Sequence, residues 1–469
     1  MRLLYSLPPK PLRSLYHLAL ALAGALWHRF PARSLTVIGV TGTKGKTTVT
    51  ELISAILEEA GYTVALSNGV RFKIGGSEER NLSRMTMPGR FFLERFLRRA
   101  LSRGATHAVI EMTSEGAAQH RHRFLALDAL VFTNLAPEHI ESHGSFAAYR
   151  DAKLSIARAL ARSRKKTRVI VANADDAEGE RFLAASRPAE QSPFSLKDTE
   201  PYEIQDDGIT FTFGGHRIRS PLVGVFNLSN ILAAATLARG LDIRTETIAR
   251  AIASFAGVPG RMEYIREGQS FDVVVDYAHT PDSLRNVYAF LKESISNFPA
   301  FAKTSTSALA SAGKQFPISN KISNDKSQIS NKTKKLICVL GATGGGRDKW
   351  KRPEMGRIAA EYCDHIILTN EDPYDEDPNQ ILAELESGIS NFQFPISKHV
   401  HDTKYKVQNT HEKILDRRLA IRTALGIAQR GDTIIITGKG SDPSICGPRG
   451  TKEPWSDAVV AREELARLR

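Results

Sequence analysis

A short apolar run rich in β-branched residues, Leu35 to Val40, leads directly into Thr41-Gly42-Thr43-Lys44-Gly45-Lys46-Thr47-Thr48. No other feature constrains the fold so tightly. A glycine turn between a strand and a helix lets backbone N–H groups approach an anion, because no Cβ obstructs them. The following helix is legible in Val49, Leu52, Ile53, Ile56, Leu57 and Ala60, which share one face, with Gly61 ending it. Thr63 to Ser67 then reads as the next strand and completes a βαβ unit. On this reading Lys46 offsets the charge of the β- and γ-phosphates of ATP, and the Thr47 hydroxyl ligates Mg²⁺. The glycines stand at 39, 42 and 45, with Val40 where the strict P-loop spacing has glycine. A glycine turn that only caps a helix is the alternative, and Gly45-Lys46-Thr47 in this context argues against it.

A chain of 469 residues exceeds one compact core. A second alternation of strands and helices begins near Phe271, with FDVVVDY, LICVLGA, HIILT and DTIIITG as strands. Such alternation predicts an α/β protein: a P-loop ATPase domain with a mostly parallel sheet, followed by a Rossmann-like α/β domain. The boundary is expected near Arg261, after the Gly257-Val258-Pro259-Gly260 turn. This divides the chain into an apolar N-terminal segment (1–34), an ATP-binding domain (35–261) and a C-terminal domain (262–469). Residues 294–335 are rich in Ser, Lys and Asn and repeat Ile-Ser-Asn, a phrase that recurs within 388–411. Both stretches are expected to be disordered insertions.

Lys and Arg exceed Asp and Glu by 64 to 51. The basic residues are dispersed and interleave with no aromatic motif, so polyanionic small molecules suit the surplus better than nucleic acid. Cys338, Cys363 and Cys446 form no close pair, and neither a disulfide framework nor a zinc cluster is expected. That suits a cytoplasmic protein. His17 to Trp27 is strongly apolar and flanked by Lys10, Arg13, Arg29 and Arg33. It is shorter than the roughly 20 residues that span a bilayer. A helix packed on the body of the protein and a helix lying on a membrane through residues 14–30 both remain open.

Two further strands end in polar groups. Ala108 to Met112 carries Glu111, a sensible Mg²⁺ ligand, and Leu130 to Leu135 precedes Glu138, His139, Glu141 and His143. Taken alone, His139 is more often a packing residue than a metal ligand, and Lys153 a solvated helix residue.

In order along the chain stand TGTKGKTT, EMTSEGAAQHR, FTNLAPEHIESHG, YRDAKLSI, NADD, GVFNLSNILAA, GVPGRME, VDYAHTPDSL, GATGGGRDKWKRP and DRRLAI. Together they resemble the Mur ligases, most closely the UDP-N-acetylmuramoyl-alanyl-glutamate ligases of MurE type. The resemblance runs from about Thr36 to the C-terminus, outside the two insertions. It implies that Gly42, Thr43, Lys44, Gly45, Lys46, Thr47 and Thr48 bind ATP, with Asn227 and Asn230 near the adenine and Arg261 and Asp276 closing the nucleotide site. It also implies two Mg²⁺ ions, one near Thr47 and Glu111, the other near His139 and a carbamylated Lys153. His279, Arg347 and Lys351 would line the same cleft, and Lys46, Lys153, His139 and His279 would form the catalytic set. Thr86, Thr113, Ser114 and Arg121 match contacts to a muramoyl-peptide. The implied reaction activates a carboxylate as an acyl phosphate, which the amino group of an incoming amino acid then attacks.

The chain departs from that pattern in three places. About 35 residues precede the phosphate loop, too few for the usual uridine-nucleotide domain. Diaminopimelate-adding members carry Asp-Asn-Pro-Arg where this chain has Glu371-Asp372-Pro373-Tyr374. Loss of that arginine removes a clamp for a distal carboxylate. The acidic run through Asp375, Glu376 and Asp377, with Asp442 in Gly438-Lys439-Gly440-Ser441-Asp442, points instead to a cationic side chain, hence a diamino acid such as lysine. Thr113, Glu115, Glu138 and Glu141 also replace the family's usual residues, mostly with polarity kept. The competing readings are a folylpolyglutamate-synthase-like ligase acting on a non-UDP acceptor and a nucleotide-binding scaffold without catalysis.

Overall fold

The computed structural model describes residues 10–83, 85–138, 140–295, 334–346, 348–392 and 410–468. The chain divides into two compact units, 1–258 and 259–469. The division falls just before Gly260 and Arg261 because both pack within the second unit. A Cβ on Gly260 would stand 2.2 Å from the Gly440 carbonyl carbon, and the Arg261 guanidinium lies 4.1 Å from the centre of the Tyr277 ring.

In the first unit the helices are α1 (Lys10–Trp27), α2 (Lys46–Glu59), α3 (Arg90–Ser102), α4 (Ser114–Ala118), α5 (Ile140–His143), α6 (Phe146–Ala161), α7 (Gly179–Ala185), α8 (Val225–Gly240) and α9 (Thr245–Ser254). Its strands are β1 (Thr36–Thr41), β2 (Val64–Ser67), β3 (Arg71–Ile74), β4 (Ser77–Arg80), β5 (His107–Glu111), β6 (Ala129–Phe132), β7 (Val169–Asn173), β8 (Glu190–Phe194), β9 (Glu203–Gln205), β10 (Gly208–Phe213) and β11 (His216–Ser220). Eight of them form one sheet in the order β4-β3-β2-β5-β1-β6-β7-β8. Six strands, β2 through β8 in that order, run parallel, while β3 and β4 form an antiparallel edge.

The β1 side chains alternate between two cores. Ile38 and Val40 pack with α2, α8 and α9, and Val37 packs toward α3, α6 and α7. Burial on both faces explains why these strands read as continuous apolar runs. Helix α8 is buried nearly throughout, so its leucine, isoleucine and alanine content covers its whole circumference. The antiparallel sheet β9–β10–β11 was not anticipated; β10 alternates apolar and polar residues from Ile209 to Phe213, but its partners β9 and β11 are short and carry one apolar residue each.

The second unit contains α10 (Pro281–Ile295), α11 (Lys351–Tyr362), α12 (Pro378–Ser390), α13 (Arg417–Ile427) and α14 (Asp457–Leu468). Its strands are β12 (Glu263–Tyr264), β13 (Asp272–Asp276), β14 (Leu336–Leu340), β15 (His365–Leu368), β16 (Thr410–Lys413), β17 (Thr433–Thr437), β18 (Ser444–Cys446) and β19 (Lys452–Pro454). The main sheet runs β12-β13-β17-β14-β15-β16, parallel except for β12. Most of the expected insertions 294–335 and 388–411 lies outside the described residues. Their margins are corrected: α10 extends through Ile295, α12 through Ser390, and β16 begins at Thr410.

The reading of the cysteines is also corrected. Cys338 and Cys363 form a disulfide with their Cα atoms 6.1 Å apart. They are 25 residues apart in sequence because a complete crossover through α11 returns the chain beside β14, where β15 pairs with it in parallel. Sequence proximity does not reveal that pairing.

Candidate active site

In an open parallel sheet, groups that bind ligands gather beyond the carboxyl ends of the strands. In the first unit β1 ends in the glycine loop, β5 in Glu111, β6 in Thr133-Asn134 and β7 in Asn173. The loop is shaped by contacts that exclude side chains. Gly42 has φ 149°, and a Cβ there would lie 2.0 Å from Thr133 Oγ1. Gly45 caps α2 at φ 79°, where a Cβ would lie 2.1 Å from Asn230 Oδ1. Both positions therefore require glycine.

The loop is tied to the end of β6. The Thr43 amide donates to the Asn134 carbonyl at 2.8 Å, and the Lys44 amide to Asn134 Oδ1 at 2.9 Å. Thr133 Oγ1 donates to the Lys44 carbonyl at 2.7 Å, and Thr43 Oγ1 meets the Tyr149 hydroxyl at 2.9 Å. The amides of Thr43 and Lys44 are thus already engaged. The N–H groups of the first turn of α2 have no intrahelical acceptor and carry the positive end of the helix dipole, so this turn is the part of the loop suited to an anion. The Lys44 ammonium forms a 2.9 Å ion pair with Glu138. The Lys46 ammonium donates to the Thr43 carbonyl at 2.9 Å, folded back over the loop.

Thr47 and Thr48 are buried in the first turn of α2. Thr47 Oγ1 donates to Glu111 Oε2 at 2.9 Å, and that oxygen also accepts from the Gly69 amide at 3.0 Å. A Cβ on Gly69 would meet Thr86 Oγ1 at 3.3 Å and Glu111 Oε2 at 3.7 Å, which places Thr86 beside the same carboxylate. Among the described residues no three His, Cys, Asp or Glu side chains gather to hold a metal. The donors suit Mg²⁺ nonetheless: a hydroxyl and a carboxylate at the mouth of a phosphate loop, leaving its other positions to phosphate and water oxygens. His139 lies outside the described residues.

Lys153 projects from α6 and is buried, with Nζ donating to the Gly42 carbonyl at 2.6 Å. The same nitrogen stands 5.0 Å from the centre of the Tyr149 ring. Burial, then the charge of Lys46, holds its amine well below the ordinary lysine range. The expectation of a solvated helix residue from the bare sequence fails here, because helix α6 turns this residue inward onto the loop. On α8, Asn230 donates to Asn227 Oδ1 at 3.1 Å, and Asn227 to the Val223 carbonyl at 2.9 Å. Beyond β5, Thr113 caps α4 by accepting from the Gly116 amide at 3.1 Å. Ser114 is buried and bonded to Glu115 at 3.2 Å, and Arg121 donates to the Met87 carbonyl and, at 2.8 Å, to Gln119.

In the second unit the sequence-selected residues also lie at the carboxyl edge of the sheet. After β13, Asp276 accepts from the Met262 amide at 2.8 Å and the Ala278 amide at 2.7 Å. His279 Nδ1 contacts the Tyr277 carbonyl at 2.7 Å. Glu371 follows β15, is buried, and accepts from Thr343 Oγ1 at 2.7 Å. Among the described residues its other oxygen has no hydrogen-bond partner, and burial raises its carboxyl above the ordinary glutamate range.

The other acids are committed to protein groups. Lys439, itself buried, binds Asp372 at 2.9 Å and Asp442 at 3.1 Å. Glu376 binds Arg352 and Lys349, Asp375 accepts from the Arg449 amide, and Asp377 caps α12. Lys351 opens α11 4.0 Å from Asp348, and Arg347 lies outside the described residues. Sequence reasoning missed Asn134, Tyr149, Lys439 and Arg417. The last is buried, bonded to Asp457 at 2.7 Å and to the Thr437 carbonyl at 2.7 Å. The FTNLAPE and DRRLAI motifs contain Asn134 and Arg417 and were the available signal.

Comparison with known proteins agrees with this architecture. Residues 40–238 match the Mur ligase middle domain, and residues 325–440 match the Mur ligase glutamate ligase domain. A UDP-N-acetylmuramyl-tripeptide synthetase of Roseiflexus is 34% identical over 468 residues, with 96% of this chain and 82% of the relative covered. A UDP-N-acetylmuramoyl-L-alanyl-D-glutamate–2,6-diaminopimelate ligase of Synechococcus elongatus is 36% identical, with 95% and 79% covered. A solved structure of a protein bearing that second name superposes with TM-score 0.56 at 28% identity, covering 92% of this chain and 79% of its own. The chain belongs to the Mur ligase family, the ATP-dependent ligases that form amide bonds in peptidoglycan synthesis.

Proposed function

We propose that this ligase extends a cytoplasmic UDP-linked muramoyl-dipeptide, joining its glutamate carboxylate to the amino group of a diamino acid through an acyl phosphate. The observation that carries the proposal is Lys153, a buried amine held 2.6 Å from the carbonyl of Gly42 in the phosphate loop. A neutral amine in that position adds to carbon dioxide: the N–C bond forms, nitrogen releases a proton, and an anionic carbamate results. The carbamate N–H still donates to Gly42, while its oxygens become ligands for a cation.

One Mg²⁺ near Thr47 and Glu111 and a second near the modified Lys153, to which His139 was also assigned from the sequence, would supply charge neutralisation to the transferring phosphoryl group. The chain's own residues do the positioning. The α2 N-terminus orients the phosphates, Lys46 swings from the Thr43 carbonyl to the γ-phosphate, and Asn227 and Asn230 wall the adenine. Thr113, Ser114 and Arg121 follow Glu111 from the end of β5 into α4 and the turn after it, and Thr86 stands beside Glu111; an acceptor carboxylate would approach the γ-phosphate there. His279, Arg261 and Asp276 belong to the nucleotide-handling set of the second unit.

For the amino acid, relatives are named for 2,6-diaminopimelate. Because Lys439 offsets Asp372 and Asp442, Glu371 retains the carboxylate oxygen to which a second ammonium group binds. The test is phosphate release with UDP-N-acetylmuramoyl-alanyl-glutamate against lysine, diaminopimelate and ornithine. Stimulation by one of them with the tripeptide seen by mass supports the proposal. A folded, ATP-binding chain stimulated by none refutes this acceptor and favours a non-UDP one.

A further inference from the structure

Helix α1 has two unlike faces. Ala21 and Ala25 are buried, and α1 packs on α3 closely enough that a Cβ on Gly24 would stand 3.6 Å from the Phe91 amide nitrogen. The opposite face is apolar and open to solvent. Leu12, Leu15, Tyr16, Ala19, Leu22, Ala23, Leu26 and Trp27 are all exposed, Trp27 by 79%. Their spacing of three and four residues is that of one continuous helical stripe. Phe91 and Phe92 of α3 are exposed as well.

The charged residues of α1, of the turn after it and of the exposed face of α3 share one sign. Residues 10–34 contain Lys10, Arg13, Arg29 and Arg33 and no acid. Helix α3 adds exposed Arg95 and Arg98, and its single acid, Glu94, is buried. These two arginines lie beside the end of α1, where burial and then their charges lower the imidazole of His28. A second copy docked on the stripe would bring like charges face to face. Among the described residues no helix is long and apolar enough to cross a membrane.

We infer that α1 lies in the headgroup region of an anionic bilayer, its leucine–tryptophan stripe inserted and the arginines of α1 and α3 against lipid phosphates. Amphipathic helices with a basic surround and an interfacial tryptophan bind in this way, and each Lys or Arg near an anionic surface strengthens binding about fivefold. The inference goes beyond the ligase reading and does not depend on the acceptor or amino acid.

The test is co-sedimentation of the full chain with vesicles of phosphatidylglycerol and phosphatidylcholine in equal parts, or of phosphatidylcholine alone. Binding to the first, weak binding to the second and loss with added salt are expected. Arg95→Glu with Arg98→Glu should weaken binding roughly tenfold or more. Leu15→Glu with Leu22→Glu should abolish binding while phosphate release in solution stays unchanged, which separates this inference from the ligase reading. A vesicle-induced blue shift of tryptophan emission should vanish in Trp27→Phe. Equal binding to both vesicle types, undiminished binding by the double variants, or no binding by a folded monomer would overturn the inference. A concentration-dependent dimer that Leu15→Glu dissolves would overturn it in favour of a second copy.

Discussion

Gly45→Ala tests the phosphate cradle at its most constrained point. The residue caps α2 at φ 79°, and the added methyl would stand 2.1 Å from Asn230 Oδ1. Holding alanine in the left-handed region costs about 1–2 kcal/mol. Relief of the overlap requires Asn230 to retreat by more than an ångström, breaking its 3.1 Å bond to Asn227 Oδ1, worth about 1 kcal/mol. A loss of roughly 2–3 kcal/mol in the first unit follows, and one misdirected charge-assisted bond to phosphate weakens ADP roughly tenfold to a hundredfold. Gly61→Ala is the matched control at the other end of α2: its φ is 88°, but no atom lies within 4 Å of the new methyl. It should lose only the backbone contribution and bind ADP normally. Urea midpoints and titration calorimetry with Mg·ADP read both quantities. If Gly45→Ala is no less stable than Gly61→Ala and binds ADP as tightly as the unsubstituted chain, the cradle is not where the contacts place it.

Three further outcomes can be measured. Lys153→Ala should lose turnover, lose the 2.6 Å contact to Gly42, and recover part of its activity when a short carboxylic acid fills the space; failure of every short acid to rescue a folded variant would argue against a carbamate. Burial lifts the Glu94 carboxyl from 4.5 to about 7, so the folded chain holds a proton that the unfolded chain releases. Stability is then full below about pH 4.5 and falls by about 3 kcal/mol as pH rises through 7, and Glu94→Gln should flatten that decline in urea midpoints taken at about pH 5 and about pH 8. Asp457→Asn removes the carboxylate charge paired at 2.7 Å with the buried Arg417 and should destabilise the second unit by about 3–5 kcal/mol; a thermal midpoint unchanged from the parent would contradict the pairing.

What the sequence disclosed and what it hid divide along sequence separation. The strand, loop and helix from Thr36 to Glu59 are set by neighbours, so periodicity and two glycines suffice to read them. The contacts that make the loop a site are not local: Lys153 is 111 residues from Gly42 and Tyr149 is 106 residues from Thr43. No periodicity reports such pairs, and the ordered motifs flagged Lys153 where its own residue type pointed to solvent. The Cys338–Cys363 bond escaped for the same reason, since a whole crossover separates its ends.

The acidic run at Glu371 to Asp377 shows a different limit. Counting its charges suggests an anionic pocket for a cationic substrate, but charge becomes recognition only where the protein has not already neutralised it. Lys439 lies between Asp372 and Asp442, Arg352 reaches Glu376, and Asp377 serves the end of α12. The cations come from outside the run and Asp377 is spent on the helix that it opens, so the run's net charge overstates what a substrate would meet. Glu371 differs because its second oxygen abuts Gly438, where a Cβ would come within 2.3 Å. Burial makes a charge on that oxygen expensive, so under the proposed function a substrate ammonium would be a strong partner. Under the proposed function, recognition of a second ammonium group would therefore depend on one buried carboxylate, and much less on the composition of the loop.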